Sequence, residues 1–224
     1  FDPKSLVVGV SGGIDSSVVS ALCALTGRKT IVLSMPIKQI KSQHDLSVKH
    51  GDWLASKHKN TEYKLIDLEE VFESFEKNLN EFNNQHGFAN SRARLRMATL
   101  YQVAASNSGI VVGTGNKVED FGVGFYTKYG DGGVDISPIA DCTKTQIWEL
   151  GKYLGILKEI IEADPTDGLW NDGRNDVDQL GMSYEELEKA MTNVNDPNYK
   201  KYLEIRKKNL HKMNPIPVCK LDDL

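Results

Sequence analysis

Four short β-rich runs, each separated from the next by a segment long enough for a helix, constrain the fold of this chain more than any other feature. The runs cover 5–10 (SLVVGV), 30–35 (TIVLSM), 62–67 (EYKLID) and 110–114 (IVVGT). We predict helices over 15–26, 43–58, 68–84, 88–107, 143–154, 184–192 and 195–209. Strands that alternate with helices are typical of βα units. The sequence therefore predicts an α/β fold with a single doubly wound parallel sheet and helices on both faces.

The length and composition fit one domain. At 224 residues, with 40% hydrophobic and 26% charged residues, the chain resembles an ordinary globular protein and can bury a sizeable core. We therefore expect residues 1–224 to form a single domain. The stretch 160–182 is rich in Asp, Gly and Asn, which predicts a long loop. We expect this loop to be mobile and to close over a substrate, and a plain surface linker is the alternative that composition alone favours.

Charge, apolar segments and cysteines exclude several classes of protein. A net charge of −4 gives no overall positive field for nucleic acid, and no apolar stretch of the sequence is long enough to cross a bilayer. Cys23, Cys142 and Cys219 are scattered and odd in number, which argues against a metal-ligand spacing and a full disulfide framework. We expect a cytoplasmic protein that binds neither nucleic acid nor membranes. An anionic substrate must then meet local cations or a bridging metal, for which Mg²⁺ is the natural candidate.

The segment GVSGGIDSS at 9–17 follows the first predicted strand and predicts an anion-binding turn. Gly12 and Gly13 permit close approach of backbone N–H groups to a ligand, and the serines add hydroxyl donors. The turn is not a Walker A motif, because it lacks a lysine before its last hydroxyl residue. Asp15 would repel a phosphate unless a cation lay between them, so we interpret Asp15 as a Mg²⁺ ligand. The alternative is that Asp15 caps the following helix, a contribution of about 1 kcal/mol.

The order strand, S-G-G-x-D-S, helix resembles the ATP pyrophosphatase (PP-loop) superfamily, whose members cleave ATP between its α and β phosphates and have an adenine nucleotide alpha-hydrolase-like, Rossmann-like fold. The stretch 113–144, GTGNKVEDFGVGFYTKYGDGGVDISPIADCTK, is similar to the central region of NAD synthetases. The similarity continues through NSRARLRM (90–97), ADPTDGL (163–169) and LHKMNPIPV (210–218). The chain as a whole resembles the ammonia-dependent NAD synthetase family.

This resemblance implies a ligase that forms a C–N bond. ATP adenylates the nicotinate carboxylate of deamido-NAD, and ammonia then displaces AMP to give NAD, AMP and pyrophosphate. Glutamine-dependent relatives carry a separate glutaminase domain, for which 224 residues leave no room, so free ammonia is the expected nitrogen donor. Family members are typically homodimers, and we expect a homodimer here. They usually have a helix ahead of the first strand, so we expect an N-terminal segment to be missing from a sequence that begins at Phe1.

The resemblance also implies which residues bind ATP and its metal. The implied ATP contacts are Gly9, Val10, Ser11, Gly12, Gly13, Ile14, Asp15, Ser16, Thr114, Lys144 and Thr166. The implied Mg²⁺ ligands are Asp15 and Glu119. From Thr114 to Lys128 the chain is one residue longer than the common family pattern, so Asp120 is the alternative to Glu119. For Lys144, at a predicted helix start, the alternative is a solvated side chain.

The implied contacts of deamido-NAD are Arg94, Lys128, Asp135, His211 and Lys212. Arg92 and Arg96 share one helix face, so Arg94 projects elsewhere and could point inward, with a solvated basic face as the alternative for all three. Asp131 is our candidate for a catalytic residue that orients ammonia or accepts a proton from ammonium, and a turn-forming aspartate is the competing explanation. Two rival functions stay open: another PP-loop ligase with a different substrate, and a nucleotide sensor that releases no pyrophosphate.

Overall fold

Four parallel strands form the central sheet of the computed structural model, which describes residues 2–165 and 176–220. The strands are β1 (Ser5–Gly9), β2 (Lys29–Ser34), β3 (Thr61–Leu65) and β4 (Gly109–Val111), and they lie in the order β3-β2-β1-β4. The predicted parallel sheet is confirmed. β4 is shorter than predicted, because beyond Val111 the pairing continues as an isolated bridge between Val112 and Ile136.

Helices connect the strands and extend beyond the sheet. The α-helices are α1 (Ile14–Leu25), α2 (Lys41–Lys57), α3 (Glu69–Asn78), α4 (Gln85–Ser106), α5 (Lys144–Leu154), α6 (Lys158–Ile161), α7 (Asp176–Leu180), α8 (Tyr184–Thr192) and α9 (Tyr199–Met213). A 3₁₀ turn (Asn80–Phe82) follows α3, and a π-helix (Lys117–Val123) follows β4. Within the part of the chain that the structure describes, no helix combines the length and the apolar character needed to cross a bilayer.

Several predicted element boundaries differ from the structure, and three of the differences have a clear physical cause. α3 ends at Asn78, short of 84, because the chain tightens into the 3₁₀ turn. α9 begins only at Tyr199, because Pro197 disfavours helical backbone in the residue before it. α6 and α7 contribute residues to the two ends of the predicted loop 160–182. Residues 166–175 lie outside the described chain, so the mobile, closing loop stays a prediction, as does the single domain over 1–224.

The sheet separates two hydrophobic clusters because successive strand residues point to opposite faces. Val7 pairs with Ile31 in the parallel register, and both pack on one face with Phe72 of α3 and helix α4. Val8 pairs with Val32, and both pack on the other face with α1 and α5. Helices therefore cover both faces, and the predicted doubly wound fold is confirmed.

A third hydrophobic cluster holds the C-terminal helices together with the π-helix. Its buried members are Val118, Val123, Leu180, Met182, Tyr184, Leu187, Ala190 and Tyr202. Trp148 of α5 packs against this cluster and also against the cluster that contains α1. The C-terminal helices are thus attached to the sheet through α5.

Side chains of α9 satisfy the carbonyl groups at the end of the π-helix. Arg206 donates to the carbonyls of Phe121 and Gly122, and Asn209 Nδ2 donates to the carbonyl of Val123 at 3.0 Å. Lys212 Nζ adds the carbonyl of Gly124 at 2.8 Å. Carbonyl groups at a helix end have no partner within the helix, so α9 supplies the donors that this end requires.

The strand order locates the functional crevice. From β1 the chain moves to β2 and β3 on one side, and β4 joins β1 on the other side. In open α/β sheets, ligands bind outside the carboxyl ends of the strands at such a point of reversal. The segments that follow β1 and β4 both enter this crevice.

Candidate active site

A cavity of about 370 Å³ lies in the crevice outside β1 and β4. Residues 9–16 line one wall, residues 112–115 line a second, and one face of α4 lines a third. Lys144 and Lys212 also reach it. All the residues of the predicted turn from Gly9 to Ser16, together with Thr114 and Lys144, are therefore gathered in one place. Thr166, the remaining predicted ATP contact, lies outside the described residues.

The turn before α1 has a fixed backbone. Gly12 has φ +90°, and a Cβ at this position would lie 2.6 Å from the carbonyl oxygen of Gln43, so glycine is required both by conformation and by space. The amide of Ser11 donates to Ser16 Oγ at 3.2 Å, and Ser17 Oγ donates to the carbonyl of Gly13 at 2.8 Å. The turn is thus held in shape by its own side chains.

The N-terminus of α1 is available to a ligand. Gly13 is the N-cap residue, and among the described residues no side chain caps this helix end. Free backbone N–H groups and the helix dipole together attract anions. The alternative that Asp15 caps the helix is wrong, because the Asp15 carboxylate accepts hydrogen bonds from Asn116 and Lys144.

Lys144 lies between two carboxylates. Its Nζ is 2.5 Å from Asp15 Oδ2 and 2.9 Å from Glu119 Oε1, and Asn116 Nδ2 donates to Asp15 Oδ1 at 3.0 Å. The Lys144 side chain is only 3% exposed. The alternative that Lys144 is a solvated side chain is therefore wrong. Lys144 is the first residue of α5, where a cation is disfavoured by the helix dipole, and the two carboxylates offset that cost.

Burial and pairing set the charges of this cluster. Burial disfavours the charged ammonium of Lys144, but Asp15 and Glu119 outweigh it and raise the Lys144 pKa. Burial raises the pKa of Asp15 despite the opposing effect of Lys144. For Glu119, burial is outweighed by Lys144 and by a hydrogen bond from Tyr184, and the pKa is lowered. Two carboxylates thus share one ammonium group, which leaves the cluster with excess negative charge.

This donor set fits a magnesium ion that is shared with phosphate. Asp15 and Glu119 both reach one cation, the Lys144 ammonium, so their oxygens can converge on a single positive charge. Mg²⁺ usually takes one or two carboxylates and completes its octahedron with water and phosphate oxygens. Across residues 2–165 and 176–220, no group of three His, Cys, Asp or Glu side chains could hold a metal by itself. Asp15 and Glu119 therefore match the number and type of protein ligands that such a shared Mg²⁺ needs.

The π-helix lies within the stretch from Thr114 to Lys128, where the resemblance implies an extra residue. A π-helical turn is wider than an α-helical turn, because its hydrogen bonds span five residues rather than four. Asn116 caps this helix by accepting from the amides of Val118 and Glu119, both at 2.9 Å. Glu119 faces Lys144, whereas the carboxylate of Asp120 lies against Gly115, where a Cβ would be 2.0 Å from Asp120 Oδ2. The geometry favours Glu119 over Asp120 as the partner of Asp15.

Asp131 lies on the cavity wall beyond the ion cluster. Its Oδ1 accepts a hydrogen bond from the amide of Thr127 at 3.0 Å, which stabilises the glycine-rich turn around Gly130. Asp131 is exposed to the cavity, yet protein surrounds the carboxyl group closely enough that burial raises its pKa. The structural and the chemical explanations of Asp131 are therefore compatible, because the residue both forms the turn and faces the cavity.

The residues predicted for deamido-NAD are divided between the cavity and the surface. Lys212 lines the cavity, and its Nζ also donates to the carbonyl of Tyr126 at 2.9 Å. Arg94 is exposed, with Nε 3.3 Å from the carbonyl of Lys128, and Lys128 Nζ donates to the carbonyl of the exposed His211 at 3.0 Å. These three residues form a chain of contacts outside the described lining of the cavity.

Asp135 also lies away from the described lining of this cavity. Its Oδ2 accepts from the amide of Val111 at 2.7 Å, and its Oδ1 accepts from the Tyr101 hydroxyl at 3.2 Å. Asp135 thereby pairs with the outer edge of β4. This is a structural role, and a role in substrate binding stays a prediction.

Arg96 is a cavity residue that the sequence analysis missed. Its Nε donates to the carbonyl of Met35 at 2.9 Å, while burial and the neighbouring Arg92 lower the Arg96 pKa to about 10. Arg92 is buried against Phe72, with Cζ 5.7 Å from the ring centroid. Arg94 was considered as an inward-pointing arginine, but it is the exposed one.

A signal in the sequence could have found Arg96. The residues of α4 that line the cavity are His86, Ala89, Asn90, Ala93, Arg96, Met97 and Leu100. Their spacing of three or four residues is that of one helix face. Asn116 and Tyr184, which hold Asp15 and Glu119, were also missed, and no local pattern marks them.

Comparison with known proteins agrees with this geometry. The family model for NAD synthase matches residues 1–221. The curated NH(3)-dependent NAD(+) synthetase of Archaeoglobus fulgidus is 34% identical, with 98% of this chain and 90% of the relative aligned. The enzyme of the same name from Alkaliphilus oremlandii is 41% identical, with 84% of this chain and 77% of the relative aligned.

Two solved structures share the whole fold. The NMN synthetase of Francisella tularensis has a TM-score of 0.89 and 31% identity, and the alignment covers 98% of this chain and 90% of that one. The NH3-dependent NAD synthetase of Campylobacter jejuni, in complex with nitrate, has a TM-score of 0.76 and 27% identity, with 98% and 91% coverage. A full-length family match and a glycine turn that meets an Asp15–Lys144–Glu119 cluster lead to one conclusion: the chain belongs to the NAD synthase family.

Proposed function

We propose that this chain is an ammonia-dependent NAD synthetase that amidates the nicotinate carboxyl group of deamido-NAD. ATP is the co-substrate of this family. The observation that carries the proposal is the meeting, in one cavity, of an uncapped helix N-terminus with the Asp15–Lys144–Glu119 cluster. The first element binds an anion, and the second offers an ammonium group and two carboxylates beside it.

The turn 9–16 is proposed to hold the ATP phosphates. Its backbone amides and the N-terminus of α1 supply donors, and Thr114 adds a hydroxyl group from the segment after β4. The Lys144 ammonium is within the same cavity and can pass from the carboxylates to a phosphate oxygen. The predicted contact of Thr166 with ATP remains a prediction.

Asp15 and Glu119 are the residues proposed to hold Mg²⁺. When bound, this ion would neutralise charge on the phosphates and favour the departure of pyrophosphate. The protein would contribute the fixed positions of the two carboxylates, which Asn116 and Lys144 hold in the structure.

The reaction follows two displacements. An oxygen of the nicotinate carboxylate forms a bond to the α phosphorus of ATP, and the bond to pyrophosphate breaks. Ammonia then forms a bond to the activated carboxyl carbon, and AMP leaves. Ammonium is the main form at neutral pH, so we assign Asp131 the task of accepting its proton before attack.

We further propose a homodimer in which the partner subunit extends the substrate site. Arg94, Lys128 and His211 form a chain of contacts on the surface rather than in the cavity. A dinucleotide that leaves the cavity would meet them there, and a second subunit would enclose it. Dimers with two-fold symmetry are the commonest oligomers, and a cytoplasmic location likewise stays our prediction.

A second candidate substrate is nicotinate mononucleotide, the acid that corresponds to NMN. The NMN synthetase of Francisella tularensis aligns with a higher TM-score than the Campylobacter jejuni NAD synthetase. Of the residues predicted for the dinucleotide, Lys212 is the one that lines the described part of the cavity. A mononucleotide is shorter than deamido-NAD and would need fewer contacts outside the cavity.

One assay separates these candidates. Purified protein is mixed with ATP, Mg²⁺ and ammonium, and with either deamido-NAD or nicotinate mononucleotide, and the amide product, AMP and pyrophosphate are followed together. We expect a much larger kcat/KM with deamido-NAD. A preference for the mononucleotide would select the second candidate, and formation of ADP in place of AMP would contradict the proposed cleavage.

A further inference from the structure

Tyr184 connects the C-terminal helices with the ion cluster. It is the first residue of α8 and is only 3% exposed. Its hydroxyl donates to Glu119 Oε1 at 2.5 Å, and Lys144 Nζ lies 5.0 Å from the centroid of its ring. Tyr184 therefore contacts two members of the cluster at once.

Helix α8 holds Tyr184 in place through neighbouring contacts. Ser183 caps the helix in a reciprocal capping box with Glu186. One turn further, Glu188 accepts hydrogen bonds from the amide of Thr145 at 3.0 Å and from Thr145 Oγ1 at 2.7 Å. Tyr184 and Glu188 lie on one face of α8, and this face meets Lys144 and Thr145 at the start of α5.

Aromatic packing fixes the orientation of the Tyr184 ring. Its centroid lies 5.9 Å from that of Trp148, at an interplanar angle of 87°. This edge-on contact is a favourable geometry for an aromatic pair. The hydroxyl group is consequently aimed at Glu119 by a ring that has little freedom to turn.

We propose that Tyr184 is a positioning residue that holds Glu119 ready for the metal and ATP. The inference rests on the metal role of Glu119 in the proposed function. Glu119 Oε1 accepts from both Lys144 and Tyr184. When a nucleotide draws the Lys144 ammonium to its phosphates, the Tyr184 hydroxyl remains as a donor to Glu119 Oε1 and keeps orienting the carboxylate. Hydrogen-bond partners of metal ligands commonly change metal affinity by about 10- to 100-fold.

The test compares Tyr184→Phe with Glu119→Gln, their double variant, and Tyr202→Phe as control. Phenylalanine keeps the ring and its contact with Trp148 but removes the hydroxyl group. Tyr202 is a buried tyrosine of the same hydrophobic cluster, so its variant measures the general effect of losing a hydroxyl group there. The first readout is the Mg²⁺ concentration that gives half-maximal pyrophosphate release. The second is binding of Mn²⁺ with a non-hydrolysable ATP analogue, followed by electron paramagnetic resonance.

For Tyr184→Phe we expect both the half-maximal Mg²⁺ concentration and the Mn²⁺ dissociation constant to rise about tenfold. Both values should stay near wild type in Tyr202→Phe. The double variant should bind metal no more weakly than Glu119→Gln alone, because Tyr184 acts on the metal through Glu119. Thermal unfolding of each variant confirms that it is folded at the assay temperature, and the Mn²⁺ titration does not depend on catalysis.

The possible outcomes distinguish a failure of the positioning role of Tyr184 from a failure of the metal role of Glu119. If Glu119→Gln weakens metal binding while Tyr184→Phe matches the control, or if the double variant adds the two effects, the positioning role is overturned. If Glu119→Gln itself leaves metal binding unchanged, the proposed metal role of Glu119 fails and the role of Tyr184 fails with it. A lower melting temperature in Tyr184→Phe with unchanged metal binding would show a structural role alone.

Discussion

At the scale of single residues, Lys144 is the side chain on which the site depends. Its ammonium group is buried, and Asp15 and Glu119 surround it at hydrogen-bond distance. Charges leave water at a high cost, so a buried lysine stays charged only where carboxylates meet it. The positive charge of Lys144 also offsets the electrostatic repulsion between the two carboxylates when no nucleotide is bound.

We predict that Lys144→Met destabilises the protein and abolishes ATP-dependent turnover. Removal of one partner from a buried ion pair typically costs about 3–5 kcal/mol, because the remaining charges lose their counterion. Lys117→Met is the control, since the Lys117–Asp141 pair is exposed and its loss should hardly change stability. Denaturant unfolding measures the free energy of unfolding of both variants. A loss in Lys144→Met as small as that expected for Lys117→Met would show that the Lys144 cluster adds no stability.

Asp131→Asn should reduce ammonia-dependent turnover by about 10²- to 10⁴-fold near neutral pH. Asparagine can still accept the hydrogen bond from Thr127, so the turn should survive. Because burial raises the Asp131 pKa, wild-type turnover should fall as the pH drops through that pKa and the base becomes protonated. The variant should recover partly at high pH, where free ammonia is more abundant. Full turnover of Asp131→Asn at pH 7 would remove the proposed proton acceptor.

At the scale of elements, the turn before α1 combines a left-handed backbone conformation with tight packing on α2. Gly12 has φ +90°, and a Cβ there would lie 2.6 Å from the carbonyl oxygen of Gln43, whereas a Cβ at Gly27, with φ +76°, would have no atom within 4 Å. These two glycines allow conformational strain to be separated from steric clash.

Gly27→Ala should cost about 1–3 kcal/mol from backbone strain alone and leave ATP binding unchanged. Gly12→Ala adds the clash with α2, so we expect a larger loss of stability and at least a tenfold rise in the ATP dissociation constant. Isothermal titration and denaturant unfolding check both expectations. Comparable ATP affinities in the two variants would contradict a role of the Gly12 turn in phosphate binding.

Helix α2 contains a buried histidine that makes the fold sensitive to acid. His50 is fully buried, its Nε2 lies 2.8 Å from Ser20 Oγ, and burial lowers its pKa to about 4. The unfolded chain takes up a proton near pH 6.5, but the folded chain resists it, so stability is lost as the pH falls below about 6.5. We expect a loss of about 2 kcal/mol between pH 7 and pH 5 from this residue. Imidazole resonances followed by NMR test the cause, and a His50 that titrates near pH 6.5 in the folded protein would refute it.

Features that depend on the local sequence pattern were predicted well. Features that depend on contacts between residues far apart in the sequence were predicted less well. The strands, the helix α1 and the turn between β1 and α1 follow from apolar runs and from glycine. The inward face of α4 was not identified, because the three arginines were compared only with one another, and the helical spacing of the smaller residues that lead to Arg96 was not followed. Asn116 and Tyr184 were missed because they contact Asp15 and Glu119 across 101 and 65 residues of sequence.

At the scale of the whole molecule, the site joins regions that are far apart in the chain. The turn at 9–16, the segment after β4 and Lys144 of α5 all converge on the cavity. The family match over residues 1–221 confirms the predicted family, which rested on motifs spread over most of the chain. The surface positions of Arg94, Lys128 and His211, which were predicted to contact deamido-NAD, are the part that one subunit does not explain.

We predict that the protein sediments as a dimer, with twice the chain mass of 24.9 kDa. The surface contacts of Arg94, Lys128 and His211 lie where a partner subunit would enclose a dinucleotide. Arg94→Glu should then raise the KM for deamido-NAD without changing the KM for ATP. Sedimentation velocity and steady-state kinetics test the two statements, and a monomer with full activity would show that the cavity of one chain is sufficient.

The contacts of α9 with the π-helix affect how the enzyme is made. Ribosomal synthesis produces the π-helix well before α9, yet Arg206, Asn209 and Lys212 of α9 are the donors for the carbonyls at the end of the π-helix. A nascent chain still lacking α9 has these carbonyls exposed to solvent, and the segment that carries Glu119 has no fixed end. The segment that carries Glu119 therefore depends on a helix that is made long after it, and a stop codon before Arg206 should remove all three donors and with them the fixed end of the π-helix.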